Sequence, residues 1–321
     1  MSIPPLISVA LCTYNGEAFL PTQLDSVLAQ AWDNLEIVVV DDGSTDRTRE
    51  ILLDYASRDS RISVTLNERN LGFLANFEKA FSLTHGEFIA PCDQDDWWHP
   101  EKVRGLHAAI GHRAMAYCDS LFVDSTGRSL NRKASDVLWM YEGNDPAAFV
   151  FANCVSGHAM LVRRQLMERA LPFPYGRFHD WWLAFAAAST EGLVFVSEPW
   201  VHYRQHGSAQ TDLSGLAGIG KKNPPRWAEI AHRRSWIASL ANFPSPDQPY
   251  FQALLRDWDT WAESWICPEL VMRLLERRES LFCIHRRASR QRLRRSFRYF
   301  WGLKLRRLLI PWRYKPEFQV P

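Results

Sequence analysis

No apolar run in this 321-residue chain approaches the roughly 20 residues that cross a bilayer. The first residues carry no basic stretch ahead of an apolar core, so no secretion signal is expected. The six cysteines, Cys12, Cys92, Cys118, Cys154, Cys267 and Cys283, lack the paired spacing of a metal site. Several lie in apolar runs, as the reduced core thiols of a cytoplasmic protein do. The first apolar run leads into Cys12-Thr13-Tyr14-Asn15-Gly16 and not into G-x-G-x-x-G, which argues against the common dinucleotide fingerprint. The phosphate-loop lysine pattern is absent as well. A nucleotide site in this chain must rest on side chains and a metal.

Hydrophobic residues make up 46% of the chain and charged residues 23%, enough for a sizeable core and typical of a globular protein. The net charge of +2 is unevenly spread. Arg277 to Arg307 holds 12 Lys or Arg and one acidic residue, a net of +11. The rest, with 26 basic and 35 acidic residues, carries −9. Such asymmetry points to a surface-interaction segment.

Short apolar runs at Leu6–Cys12, Leu35–Val40, Ile62–Leu66 and Glu87–Pro91 read as strands. Helical patterns lie between them at Glu17–Ala31, Thr48–Ser57 and Ala75–Leu83. Pro100 opens a further helix to Gly111, where proline is well tolerated. This alternation predicts a parallel, layered α/β sheet. Ala114–Cys118 is another strand, and Asp119–Asp145 reads as a loop-rich insertion. An apolar helix follows Phe178, and Leu193–Val196 is a strand. Residues 213–225, rich in glycine and proline, read as a mobile loop, with helix expected after Trp227.

The stretch Glu87–Glu101, EFIAPCDQDDWWHPE, runs an apolar strand into Asp93, Asp95 and Asp96. Three carboxylates in four residues repel one another, and hard oxygen ligands suit magnesium or manganese. A solvated acidic turn is the plain alternative. Polar turns recur at successive strand ends: Thr13-Tyr14-Asn15, Asp41-Asp42 and Asn67–Gly72. In a parallel sheet these share one edge, where open α/β folds bind ligands. There Tyr14 would pack on a base, and Asp41 or Asp42 would accept from it. His179-Asp180-Trp181-Trp182 sets a carboxylate beside indoles, which suits a general base as well as a helix cap. In His202–Ser208, His206 would complete a metal shell with Asp95, and Arg204 would meet phosphate.

Together these pieces resemble the inverting family 2 glycosyltransferases of the GT-A fold. They are Ser8–Gly16, Ile37–Asp46, Asn70-Leu71-Gly72 ahead of Asn76-Phe77, Asp93–Trp98, Gly157-His158, His179–Trp182 and Tyr203–Gly207. The D-Q-D-D-x-W and H-D-W-W forms are most similar to the rhamnosyltransferase-like branch, which builds bacterial cell-surface polysaccharide. The resemblance implies an α/β fold with one mostly parallel central sheet flanked by helices and a helical C-terminal extension. Residues 1–212 would be the catalytic domain, with a nucleotide-sugar half at 1–98 and an acceptor half at 99–212. A flexible loop at 213–225 and a basic extension at 226–321 would follow. Asp180 would be the catalytic base. Asp95, Asp93 and His206 would hold Mg2+ or Mn2+. Thr13, Tyr14, Asn15, Asp41, Asp42, Asn70, Gly72, Asp93 and Arg204 would bind the nucleotide. Gly157, His158, His179, Trp181 and Trp182 would face the sugar or acceptor.

The donor would be a nucleoside diphosphate sugar, with L-rhamnose as the candidate sugar, and the acceptor a glycan or lipid-linked hydroxyl. An inactive nucleotide-sugar binder or scaffold is the alternative from another class. A nucleotidyltransferase ranks below it, because residues 13–16 contain no Lys or Arg. Leucines and aromatics among the arginines of 277–310 suit peripheral contact with an anionic membrane at the inner cell face. Packing on a second subunit, as a homodimer, is the competing use, and no nucleic-acid partner is expected.

Overall fold

The computed structural model describes residues 4–174, 178–206, 226–284 and 296–309. The loop expected at 213–225 lies outside the described residues, as do 285–295 of the basic stretch. The chain divides into two compact units, Met1–Asn144 with Cys154–Ile219 and Asp145–Asn153 with Gly220–Pro321.

The first unit holds a nine-stranded sheet. Its opening strands are β1 (Ile7–Thr13), β2 (Leu35–Asp41), β3 (Ile62–Leu66) and β4 (Phe88–Cys92). The strands β5 (Trp97–Trp98), β6 (Met115–Val123), β7 (Ser129–Lys133), β8 (Met160–Arg163) and β9 (Leu193–Arg204) follow. The order across the sheet is β3-β2-β1-β4-β8-β6-β9-β5, with β7 on the flank of β6. β3, β2, β1 and β4 are mutually parallel, and so are β6 and β9. β8 runs antiparallel between β4 and β6, and β5 and β7 are also antiparallel to their partners. The sheet is thus mixed but mostly parallel, with helices flanking it and further helices after it, as in the GT-A fold.

The parallel strands are near-continuous apolar runs because helices cover both faces. Leu20, Leu24 and Val27 of α1 (Leu20–Leu28) recur at helical spacing and are fully buried. Register brings the functional turns to one edge. Thr13 pairs with Asp41, Asp41 with Leu66, and Leu11 with Cys92. β8 pairs with β4 only through Phe88 and Ile89, so that ladder ends before Pro91, which has no N–H to offer.

The loop-rich insertion expected at Asp119–Asp145 is instead the second half of β6, then β7 and a short helix, α5 (Ala134–Val137). Buried Asp119 inside the strand conceals it. Its carboxylate accepts from the N–H groups of Ser120 (2.9 Å) and Ser135 (3.1 Å) and from the Ser135 hydroxyl (2.6 Å). Similarly, β9 continues through Pro199 because a bulge absorbs it: Cys118 pairs with Val196, but Ser120 pairs with Val201.

The remaining helices of this unit are α2 (Thr48–Arg58), α3 (Phe73–Ser82), α4 (Lys102–Ile110), α6 (Arg164–Ala170) and α7 (His179–Ala188). The second unit is helical, with α8 (Arg226–Asn242), α9 (Gln248–Glu263), α10 (Pro268–Glu276), α11 (Arg278–Leu281) and α12 (Leu303–Leu309). The short segment Asp145–Asn153 is built into it. Trp236 Nε1 donates to Phe149 O at 3.2 Å, and Phe151 stacks on Phe282 at 5.3 Å. Arg277 bridges Asp145 and Asp247.

Leu161 of β8 is fully buried where the strand joins the parallel half to β6. Leu161→Ala should cost about 2–5 kcal/mol in denaturant unfolding. A loss below ~1 kcal/mol would show that β8 does not help to hold the sheet together.

Candidate functional site

The site forms where the carboxyl ends of β1, β2 and β4 meet. Thr13 Oγ1 donates to Asp41 Oδ1 at 3.1 Å, and Asp41 Oδ2 accepts from Ser44 N and Arg49 Nε, each at 3.0 Å. Asp42 accepts from Asn67 Nδ2 (3.0 Å) and from the N–H groups of Leu71 (2.7 Å) and Gly72 (2.9 Å). Both carboxylates are buried and engaged, so each holds a neighbouring loop in place. Asn70 Oδ1 adds a bond to Gly72 N at 2.9 Å, and Gly72 takes a φ of 88° that favours glycine.

Tyr14 and Asn15 lie on the turn after β1. The Tyr14 N–H donates to Gln94 Oε1 at 2.8 Å, and Gln94 Nε2 returns a bond to Tyr14 O at 3.0 Å. This reciprocal pair ties the turn to the acidic loop and leaves the Tyr14 side chain exposed. Asn15 accepts from Thr45 N at 2.8 Å through Oδ1.

The acidic loop carries two carboxylate–imidazole pairs. Asp95 Oδ2 lies 2.9 Å from His206 Nε2. Behind it, His158 Nδ1 lies 3.1 Å from Asp96 Oδ2 and 3.6 Å from Asp93 Oδ2. Ligand atoms of Asp93, Asp96 and His158 fall within 4.8 Å of one another, close enough to share an ion. Asp96 (1% exposed) and His158 (3%) are sealed, whereas Asp93 (33%), Asp95 (23%) and His206 (11%) reach solvent. Burial would lower the His158 pKa, but Asp96 and Asp93 outweigh it and hold the imidazole above its ordinary value. His158 Nε2 meets Ser120 Oγ at 3.2 Å.

Arg204 works on the loop's backbone. Its N–H donates to Asp96 Oδ1 (3.0 Å), its Nε to Asp95 O (2.9 Å) and its Nη1 to Ser125 O (3.0 Å). The contact expected of it was phosphate; here it holds the acidic loop.

Asp180 sits in the first turn of α7, after the N-cap residue Phe178. It accepts from Trp181 N at 2.5 Å and from the Gly157 N–H. Burial, aided by the charge of Asp93, pushes its carboxyl up to about 7 against these two donors. Of its neighbours, His179 packs against Phe77 at 4.2 Å and Phe73 at 5.3 Å. Burial pulls its imidazole down to about 4, and neither ring nitrogen has a hydrogen-bond partner among the described residues. A Cβ on Gly157 would lie 2.6 Å from His179 Nε2, so this glycine is needed for the close approach. Trp182 is a core residue whose indole donates to Ala170 O at 2.7 Å, while Trp181 is half-buried.

Sequence reasoning missed Lys102. Its amine is fully buried beneath the acidic loop, 2.9 Å from the Trp98 ring centroid, and burial pulls it down to about 7. The signal was available: Lys102 shares the buried face of α4 with Val103, Leu106 and Ile110. Ser120 was missed because it lies in the strand half mistaken for loop.

The family model Glycosyl transferase family 2 matches residues 8–171. The candidate glycosyltransferase EpsH of Bacillus subtilis is 30% identical over 218 residues, covering 64% of this chain and 62% of EpsH. The match therefore spans just over three fifths of that relative's length. An uncharacterised glycosyltransferase of Haemophilus influenzae is 27% identical over 222 residues, covering 65% of this chain and 68% of its own. Among solved structures, Staphylococcus aureus TarS 1–349 with UDP-GlcNAc has a TM-score of 0.58 at 17% identity, covering 86% of this chain and 81% of that one. Mannosyltransferase PcManGT from Pyrobaculum calidifontis, with GDP-Man and Mn2+, has 0.52 at 16% identity, covering 95% and 87%. At these identities the structural likeness is one of fold.

Gly157→Ala should destabilise the protein by about 1–3 kcal/mol through the contact with His179. In a His179→Ala background the same change should cost much less, which a double-mutant cycle measures. Additive losses would show that the contact is not the cause.

Proposed function

The chain belongs to glycosyltransferase family 2, and from that premise we propose that it moves a sugar from a nucleoside diphosphate sugar to an acceptor hydroxyl with inversion. The observation that carries this reading is Asp180: a desolvated carboxyl, raised to about 7, close enough to feel the charge of Asp93. In the reaction Asp180 accepts the acceptor's hydroxyl proton. The acceptor oxygen bonds to the anomeric carbon as the bond to the leaving diphosphate breaks on the opposite side. The nucleoside diphosphate departs with that electron pair.

The carboxylate oxygens of the acidic loop fit Mg2+ or Mn2+, hard cations that take oxygen ligands. The ligand atoms already within 4.8 Å of one another are those of Asp93, Asp96 and His158. We assign the cation to Asp93, Asp95 and His206 because a cation that meets a diphosphate must be reachable from solvent, as these three are. The sealed Asp96–His158 pair would support Asp93 from behind. When bound, the cation would supply positive charge to the leaving diphosphate. Thr13, Asp41, Asp42, Asn70 and Gly72 would set the walls of the nucleotide site, and Tyr14 offers its exposed ring to the base. Gly157 and Trp181 lie beside the base and would line the acceptor side.

Rhamnose as the donor sugar, and a cell-surface glycan or lipid-linked acceptor, rest on the D-Q-D-D-x-W and H-D-W-W forms. The free state of all six cysteines supports a cytoplasmic setting. No helix among the described residues is long and apolar enough to cross a membrane. We place peripheral contact with the inner membrane face on the basic extension, for its net positive charge; a homodimer is the competing use of that extension.

Asp180→Asn should lower transfer by about 10²–10⁴-fold while nucleotide-sugar affinity is retained. Transfer at the wild-type rate would remove Asp180 as the base. Because the base must be ionised, wild-type activity should rise with pH through a limb centred near 7. The folded state holds this proton more tightly than the unfolded chain, so Asp180 costs stability as pH rises from the ordinary carboxylate range to about 7. Asp180→Asn should accordingly melt higher than wild type at pH 8. Asp95→Ala should abolish the metal-dependent part of nucleoside diphosphate binding measured by calorimetry; unchanged affinity would rule out ligation by Asp95.

A further inference from the structure

The second unit buries tryptophan readily. Trp236, Trp258 and Trp261 are all in its core. Among the described residues, five other large apolar side chains remain outside: Trp265 (54% exposed), Ile266 (51%), Met272 (67%), Phe297 (50%) and Trp301 (52%). Three of them lie on one small, well-anchored piece of backbone. Residues 264–267 pair with 300–304 through Cys267 N to Phe300 O (2.9 Å), Gly302 N to Trp265 O (2.8 Å) and Lys304 N to Ser264 O (3.3 Å). Ile266 and Trp301 are bridge partners and share one face of that pairing, while Trp265 projects from the other, so the pairing offers apolar side chains on both faces. The carbonyl of Trp301 accepts from Trp261 Nε1 at 2.9 Å and from Arg306 Nε at 3.1 Å. Any Cβ at Gly302 would stand 2.0 Å from Ser264 O, so the two segments can approach this closely only with glycine there. The exposed indoles are therefore held in place by a fixed backbone and do not belong to a frayed end.

The charge around them has one sign along most of the chain nearby. No Asp or Glu occurs between Glu279 and Glu317. The described segment 296–309 carries Arg298, Lys304, Arg306 and Arg307. Arg298 and Lys304 are exposed. Glu263 and Glu269 flank the 264–267 segment in sequence, and both are exposed. Arg277, by contrast, is occupied with Asp145 and Asp247 and is not free to serve an outside partner.

We propose that Trp265, Ile266, Phe297 and Trp301, with Arg298 and Lys304, form the surface by which this protein docks on an anionic lipid bilayer. The chemistry fits that partner at both levels. Indole rings favour the headgroup region, where an apolar body and an N–H are both accommodated. Each nearby Lys or Arg strengthens attraction to anionic headgroups by about fivefold in partitioning. A protein–protein core would instead be depleted in exposed lysine. The inference rests on the peripheral membrane contact proposed above and assigns it to particular residues, two of which lie before the basic stretch begins.

The test is co-sedimentation of the full chain with phosphatidylcholine vesicles, with and without phosphatidylglycerol. Binding is expected to require phosphatidylglycerol and to weaken as salt rises. Trp265→Ser with Trp301→Ser should lower partitioning by about tenfold or more. Arg298→Gln with Lys304→Gln should lower it about fivefold per charge and flatten the salt dependence. Nucleoside diphosphate binding and circular dichroism should be unchanged in each. If the double tryptophan variant does not fold, Ile266→Gln takes its place, with a smaller loss expected. Vesicle binding that survives all these substitutions would overturn the assigned surface while leaving membrane contact standing. Absence of binding to any vesicle would overturn both. Substitutions that leave vesicle binding intact but convert a dimer to a monomer in light scattering would give the surface to a second copy of the chain.

Discussion

Three carboxylates within four residues, one of them sealed from solvent, cannot lie together unless positive charge or hydrogen-bond donors stand beside them. The catalytic unit is arranged to meet that condition. His206 faces Asp95, and His158 faces Asp96 and Asp93. Arg204 fixes the loop through Asp95 O and the Asp96 carboxylate. The Lys102 amine lies below, with the Trp98 ring in place of a hydrogen-bond acceptor and its proton affinity lowered by burial. These groups come from an acidic turn, a 3-10 turn, the last strand and a helix that are distant in sequence. The sheet is what brings them together: β4 ends in the acidic loop, β8 follows His158, and β9 delivers Arg204 and leads directly to His206.

The same low-dielectric surroundings that make the loop costly make Asp180 useful. Its carboxyl is raised by burial and by Asp93, and lowered by the Trp181 and Gly157 N–H groups. A carboxyl whose proton affinity lies near neutrality is the product of that balance, which is what the proposed role of Asp180 as base requires. The aromatic nest of Phe73, Phe77, Phe81 and Phe173 around His179 holds the start of α7 against Gly157. His179 thus acts by packing, and the desolvation of its imidazole is offset by contacts between rings. In the proposed mechanism, packing and proton transfer fall to adjacent residues of one helical turn.

The second unit follows another logic. α9 buries Tyr250, Phe251, Leu254, Trp258 and Trp261 along one helical face. Arg277 spends its charge internally, bridging Asp145 and Asp247. A segment interrupting the catalytic chain, Asp145–Asn153, supplies part of this core.

The repeating strand and helix pattern of the first hundred residues is legible without the fold, because continuous β-branched runs and amphipathic helices have local signatures. The sequence also drew attention to Asp93 to Asp96, Asp180 and His206, because carboxylates and imidazoles beside apolar runs and tryptophans stand out from the local pattern. It did not reveal the second half of β6, where Asp119 breaks the apolar pattern and is repaid by Ser135, far along the chain. Nor did it reveal the continuity of β9 past Pro199, the pairing of His158 with the acidic loop or the burial of Lys102. Only the tertiary structure decided those. For Asp119, Pro199 and His158 the awkward residue is made tolerable by a partner distant in sequence, which no local pattern records; for Lys102 the nearby Trp98 ring does so, and only the fold shows that the amine is sealed.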